Sequence, residues 1–145
     1  MIGTPIRLLG VLFAALVLSG CGGSDSQSTA SLPHLDGDDL PESLLGSYYD
    51  SAEPTANWSF FHAGDEFCTE TVGTSQGCLR VDVSGLITDY GPAVAVGDKL
   101  FVRGTYGECL RDVRIAYTLT KKGVDLHHAY CDHPRGALIR RTGSG

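Results

Sequence analysis

The residues able to do chemistry here are few, and the cysteines lead. Cys21, Cys68, Cys78, Cys109 and Cys131 are the five, and the last four are ten, thirty-one and twenty-two positions apart. Zinc needs close Cys-x2-4-Cys pairs, so these spacings read as disulfides instead. Gly73-Thr74-Ser75-Gln76-Gly77 has the letters of a hydrolase nucleophile turn, with Asp89 and His127 or His128 following in the order Ser, Asp, His. A nucleophile elbow requires a strand before the serine and a helix after it, whereas Cys78 to Ser84 alternates as a strand. Ser75 is therefore expected in a Gly-rich hairpin loop, no catalytic residue is assigned, and the chain is not read as an enzyme. The densest polar cluster is Asp125-Leu-His127-His128-Ala-Tyr-Cys131-Asp132-His133. In a strand, His127 and His128 face opposite sides and cannot share an ion, while His127 and His133 could meet only across a turn. Asp36-Gly37-Asp38-Asp39 clusters carboxylates but opens no twelve-residue EF-hand loop. No metal and no other cofactor is assigned.

The elements that must carry these residues are short. From residue 42 onward, apolar or alternating runs recur at about ten-residue spacing between Gly, Asp and Lys turns. The runs are Gly46 to Asp50, Asn57 to His62, Phe67 to Thr71, Cys78 to Ser84, Ala93 to Val96, Leu100 to Tyr106, Val113 to Thr120, Val124 to Cys131 and Ala137 to Arg141. None sustains helical periodicity for three turns. The expected fold is all-β: an antiparallel meander closing into a small up-and-down barrel of about eight strands, or a sandwich. Alternation turns Trp58, Phe60, Phe67, Thr69, Leu79, Val81, Val83, Leu100, Val102, Ile115, Tyr117, Leu119, Val124, Leu126, His128 and Tyr130 inward. Cys68 then shares an outer face with Glu66 and Glu70, and Cys78 shares one with Arg80 and Asp82. A Cys68–Cys78 bridge across one hairpin leaves Cys109–Cys131, although four cysteines allow three pairings and sequence alone does not choose. A two-residue loop at Lys121-Lys122 would place Leu119 opposite Val124, Tyr117 opposite Leu126, Ile115 opposite His128 and Val113 opposite Tyr130.

The N-terminus carries one base, Arg7, and then the uncharged run Leu8 to Leu18, LLGVLFAALVL. Eleven residues of helix span only ~16 Å, half a bilayer core, which fits a signal peptide's apolar region better than a membrane span. Leu18-Ser19-Gly20-Cys21 follows and resembles the lipobox of bacterial lipoproteins at every position. The resemblance implies cleavage before Cys21 and acylation of that cysteine. At ~0.8 kcal/mol per buried methylene, several acyl chains would hold the mature protein on a membrane. Gly22 stands where the inner-membrane retention signal has Asp, so the resemblance implies the outer membrane in an organism that has two. The organisation expected is a signal peptide over 1–20, a lipidated flexible tether over 21–41, rich in Gly, Ser, Asp and Pro, and a barrel-like domain over 42–145.

Gly46-Ser47-Tyr48 opening the first strand, a meander of eight or nine strands, and Arg140 or Arg141 closing the last strand resemble the small lipocalin-like barrels. Tyr48 stands where that family has Trp, in a ring that contacts the final Arg. The resemblance implies a barrel mouth that takes a small apolar or aromatic ligand, and Trp58, Tyr117, His128 and Tyr130 are the expected lining. The alternative is an envelope protein with a filled core that binds or inhibits another protein through loops such as Asp89-Tyr90-Gly91-Pro92 and Asp132-His133-Pro134-Arg135-Gly136. A formal charge of −6 leaves no basic surplus for phosphates, which argues against a nucleic-acid partner.

Overall fold

Short alternating runs joined by two-residue turns can bury their apolar faces only by pairing each run with the next. The structure, a computed structural model, describes residues 32–134 and 136–142. The signal peptide, the lipobox with Cys21 and the tether up to residue 31 lie outside them. Nine strands form: β1 (Gly46–Asp50), β2 (Glu53–Phe61), β3 (Cys78–Val83), β4 (Leu86–Val96), β5 (Lys99–Arg103), β6 (Tyr106–Gly107), β7 (Asp112–Leu119), β8 (Gly123–Leu126) and β9 (Ala137–Arg140). All pairings are antiparallel, and the ring β3-β2-β1-β9-β8-β7-β5-β4 closes through β3–β4, so eight strands make a closed barrel and β6 adds to β4. The Lys121-Lys122 loop sets the expected register, Leu119 opposite Val124 and Tyr117 opposite Leu126. That ladder stops at Leu126, so the expected pairs of Ile115 with His128 and Val113 with Tyr130 do not form; on the other edge of β7, Ile115 and Val113 pair with Leu100 and Val102 of β5.

The two barrel ends differ. The base carries the segment leading into β1, the turns Gly97–Asp98 and Lys121–Lys122, and the end of β9. The mouth carries the turns Ser51–Ala52 and Ser84–Gly85 and the loops 104–111 and 127–136.

An eight-stranded barrel is just wide enough for side chains to fill. Here Tyr48, Trp58, Phe60, Leu79, Val81, Leu100, Val102, Ile115, Tyr130 and Leu138 are buried in one cluster. Trp58 meets Tyr130 edge-on at 5.7 Å and Phe60 at 6.4 Å, and Phe60 meets Tyr48 at 5.8 Å. At the base, the ring at position 48 and the arginine of the last strand do meet. The Arg140 guanidinium lies 4.8 Å over the Tyr48 ring and donates to the Tyr48 hydroxyl at 2.8 Å, to Leu45 O at 2.9 Å and to Ser43 O at 2.6 Å. The Tyr48 hydroxyl donates in turn to Leu44 O at 2.6 Å. Tyrosine supplies a polar link here that tryptophan's ring would not make in the same way.

Four expectations are corrected. Phe67–Val72 is a short π-helix outside the barrel, so Phe67 and Thr69 do not point into it. Asp65 Oδ1 caps the Phe67 amide at 2.9 Å, Gly73 ends the turn in the left-handed region, and the buried pair Cys68 and Val72 is at helical spacing. One and a half turns are too short for that period to stand out from alternation. Asp89-Tyr90-Gly91-Pro92 is strand, not loop, within β4. Pro92 is tolerated because it falls between the β6 ladder, which ends at Tyr90, and the β5 ladder, which starts at Ala93. The strand read to Cys131 stops at Leu126, and His128 is exposed beyond it rather than inward. Finally, Leu32 to Leu40, expected as tether, packs on the barrel: Leu35 joins Val94 and Phe101, Leu40 joins the core, and Asp38 bridges to Ala95. Three leucines outweigh a polar composition.

Candidate functional site at the barrel mouth

Asp89 is the centre of the mouth. It sits in β4 opposite Val81 of β3 and Gly107 of β6, and it is only 4% exposed. A Cβ at Gly107 would collide with Thr88 O and press on Asp89 Oδ1, and its φ of +101° is one that side chains rarely adopt. Glycine there lets the following amides of Glu108 and Cys109 turn back and donate to Asp89 Oδ1, each at 3.1 Å. The other oxygen, Oδ2, lies 2.7 Å from His133 Nε2. His133 Nδ1 is 3.4 Å from Glu53 Oε1 at the start of β2. Each ring nitrogen of His133 therefore faces a carboxylate oxygen.

The disulfide Cys109–Cys131 ties the loop after β6 to the loop after β8 and so holds His133 against Asp89. Around this pair lies a cleft of about 200 Å³ lined by Glu53, Thr88, Asp89, Glu108, Asp132, His133 and the disulfide. Its described lining sets four carboxylates against one imidazole. Beneath it the Tyr130 ring lies parallel to the imidazole at 6.0 Å, and Trp58 meets it edge-on at 5.9 Å. The Tyr130 hydroxyl and Trp58 Nε1 are buried with no hydrogen-bond partner among the described residues, and so is Asp50 Oδ2. Burial, reinforced by the Asp89 charge and opposed by Arg111, pushes the Tyr130 hydroxyl far above its ordinary range. Burial likewise raises the Asp50 carboxyl, opposed by the Ala52 amide that donates to it at 2.8 Å.

The residues singled out in the sequence are distributed as follows. Cys68 bonds Cys78 and Cys109 bonds Cys131, the expected pairing, although Cys68 reaches its partner from the helix rather than from a neighbouring strand. Trp58 and Tyr130 do meet. Tyr117 is half-buried near the base, its amide directed at Asp98 O, so it shares no site with them. His128 is exposed, and the imidazole that joins Trp58 and Tyr130 is His133. His127 is hydrogen-bonded to Thr118 Oγ1 at 2.8 Å. Ser75 is exposed in the loop ahead of β3, and β3, not a helix, follows it. In the sequence Asp89 shows only behind Ser75 and within an apparent loop, because Gly91-Pro92 disguises its strand, and Glu53 gives no signal, because the mouth is assembled from four separated segments. Asp132 and His133 leave a trace, in the polar cluster that ends with them and in the loop that carries them.

With a carboxylate on each nitrogen, the imidazole has no free nitrogen to exchange protons with a ligand. Among the described residues, no three His, Cys, Asp or Glu side chains are arranged to hold a metal ion, and no helix is long and apolar enough to cross a membrane. What the cleft offers is negative charge in a partly enclosed space. No protein-family model, no curated protein and no solved structure matches this chain.

Proposed function

We propose that the chain is a lipoprotein of the bacterial cell envelope, held by acyl chains on Cys21, that acts by binding rather than catalysis and takes a cationic group into the mouth cleft. The observation that carries the reading is the set Glu53, Asp89, Glu108 and Asp132 around about 200 Å³, with His133 the one basic side chain among the described lining residues. The Tyr130 hydroxyl, buried without a partner among the described residues, supports it. The packing of Trp58, Phe60 and Tyr130 against one another speaks against a small apolar ligand inside the barrel. An ammonium or guanidinium fits the cleft, carried either by a free amine or by a basic side chain of another envelope protein. The second source draws support from the exposed Ile87 and Leu110, each beside a cleft residue in the chain.

Trp58 is the chain's single tryptophan and touches the His133 ring, so its fluorescence reports on the cleft. The mature protein is titrated with agmatine and with a short peptide bearing one arginine between leucines. Both are expected to change the emission, the peptide at lower concentration, and Glu108→Gln with Asp132→Asn should weaken both at least tenfold. No response to either probe, or equal affinity in the double variant, would overturn the reading. Acylation is tested separately, by the mass of the mature N-terminus and its loss in Cys21→Ala.

A further inference from the structure

A groove at the opposite end of the barrel carries the opposite charge. A groove of about 510 Å³ at the base is lined by Tyr49, Lys121, Lys122, Ile139, Arg140 and Arg141, with Thr142 at its edge. A chain with a formal charge of −6 thus places four of its eleven Lys and Arg around one groove. Among the described residues none of the four forms an ion pair with a carboxylate, whereas Arg80 and Arg103 do.

The two guanidiniums are held in place by neutral groups. Arg140 is fixed on the Tyr48 ring and by the carbonyls of Ser43 and Leu45. Arg141 lies 5.5 Å over the Tyr49 ring and donates from Nε to Asn57 Oδ1, which leaves both terminal nitrogens without an acceptor among the described residues. Lys121 and Lys122 stand exposed on the tight turn across from them, where Arg140 N donates to Lys122 O at 2.7 Å and ties the two walls together. Four cations brought together by backbone geometry, without a carboxylate partner among the described residues, repel one another, and an anion relieves that repulsion. The planar Arg141 fork suits the tetrahedral oxygens of a phosphate, and the lysines add charge without demanding direction.

We infer that this base groove is a binding site for a phosphate-bearing anion. The inference is independent of the mouth cleft. Two sources share the chemistry: the headgroup of an anionic phospholipid, or a soluble phosphate ester. Only the lipid source draws on the proposed acylation of Cys21, since residues 22–31 span at most about 36 Å fully extended and would keep the domain within reach of a bilayer.

The test uses the mature protein in neutral maltoside micelles, followed by NMR of the amides of Lys121 and Lys122 and the Arg141 Nε–H. Inorganic phosphate is added alone in one arm, phosphatidylglycerol in a second and phosphatidylcholine in a third. Phosphate and phosphatidylglycerol are expected to shift the groove signals saturably, and phosphatidylcholine to leave them in place. Lys121→Ala with Lys122→Ala should weaken binding roughly twenty-five-fold, about fivefold per basic residue near an anionic surface, with the rest of the spectrum unchanged. Saturation by phosphate without a response to phosphatidylglycerol supports the site and assigns it a soluble ester. Unmoved groove signals in both anionic arms, equal shifts with phosphatidylcholine, or undiminished binding by the folded double variant would overturn the inference. An unacylated N-terminus would remove the argument for lipid and leave the phosphate arm intact.

Discussion

Truncating Tyr130 to alanine removes a ring that is 1% exposed, stacked on His133 at 6.0 Å and set edge-on to Trp58 at 5.7 Å. Emptying an aromatic core position costs about 3 to 5 kcal/mol, because the surroundings collapse only partly into the space. The hydroxyl behaves differently. It is buried without a partner among the described residues, and an unpaired buried hydroxyl is itself a cost of about 1 to 3 kcal/mol. Tyr130→Phe is therefore expected to leave stability unchanged or raise it by up to about 1 kcal/mol. For a domain of this size 1 kcal/mol corresponds to about 3 to 5 °C in Tm, so the alanine variant should melt roughly 10 to 25 °C lower. Urea unfolding with both disulfides intact, followed by far-UV circular dichroism, measures both. An alanine variant within about 1 kcal/mol of wild type would mean that the ring lines open space, and the filled-barrel argument fails. A phenylalanine variant that loses more than about 1 kcal/mol would mean that the hydroxyl is bonded, which removes one support of the mouth site.

Asp50 gives a pH signature: burial raises its folded pKa above the unfolded value, so the native state holds the proton over a window starting near 3.8, and stability falls as pH rises through that window. Asp50→Asn keeps the acceptor for the Ala52 amide and should be more stable than wild type at pH 7, with the difference vanishing toward pH 3 in pH-dependent urea unfolding. Arg140→Lys retains the charge but cannot span Ser43, Leu45 and the Tyr48 hydroxyl together, so it should lose about 1 to 2 kcal/mol in the same assay; a smaller loss would show that the base closure is electrostatic alone. Gly107→Ala should pull the Glu108 and Cys109 amides from Asp89, lowering stability by at least about 1 kcal/mol and speeding hydrogen exchange at those two amides before the rest of the barrel.

Much of the barrel is legible in the sequence because period-two alternation and turn chemistry are local. The Lys121-Lys122 loop alone sets the β7–β8 register, and β1 is bounded as read. The failures occur where a local signal is outweighed by something non-local. The Gly91-Pro92 turn signal loses to closure, since β4 must run past it to pair with β3 and then with β5. Alternation at Phe67 to Thr71 loses to a bridge and an Asp cap that wind the segment into a helix. The polar stretch before β1 is ordered by Leu40, which joins the core, and by Leu35, whose partners Val94 and Phe101 are more than fifty residues further along the chain.

The mouth shows why a site is harder to read than a fold. Its charges come from the start of β2, the middle of β4, the loop after β6 and the loop after β8, and no spacing rule links position 53 to 89 or 133. What sequence does offer is the cysteine count: once Cys109 and Cys131 are paired, the loops that contain Glu108, Asp132 and His133 must come together. From that constraint alone a mouth rich in carboxylates follows, because each bridge residue is flanked by an acid. The base groove carries the same logic with the opposite sign. Closure of the barrel through β1 and β9 sets Arg140 and Arg141 beside Lys121 and Lys122, two doublets eighteen residues apart that only the β8–β9 ladder makes neighbours. A barrel whose interior is filled has only its ends and outer wall to work with, and this one sets a carboxylate-lined cleft at one end and a groove with four basic side chains at the other.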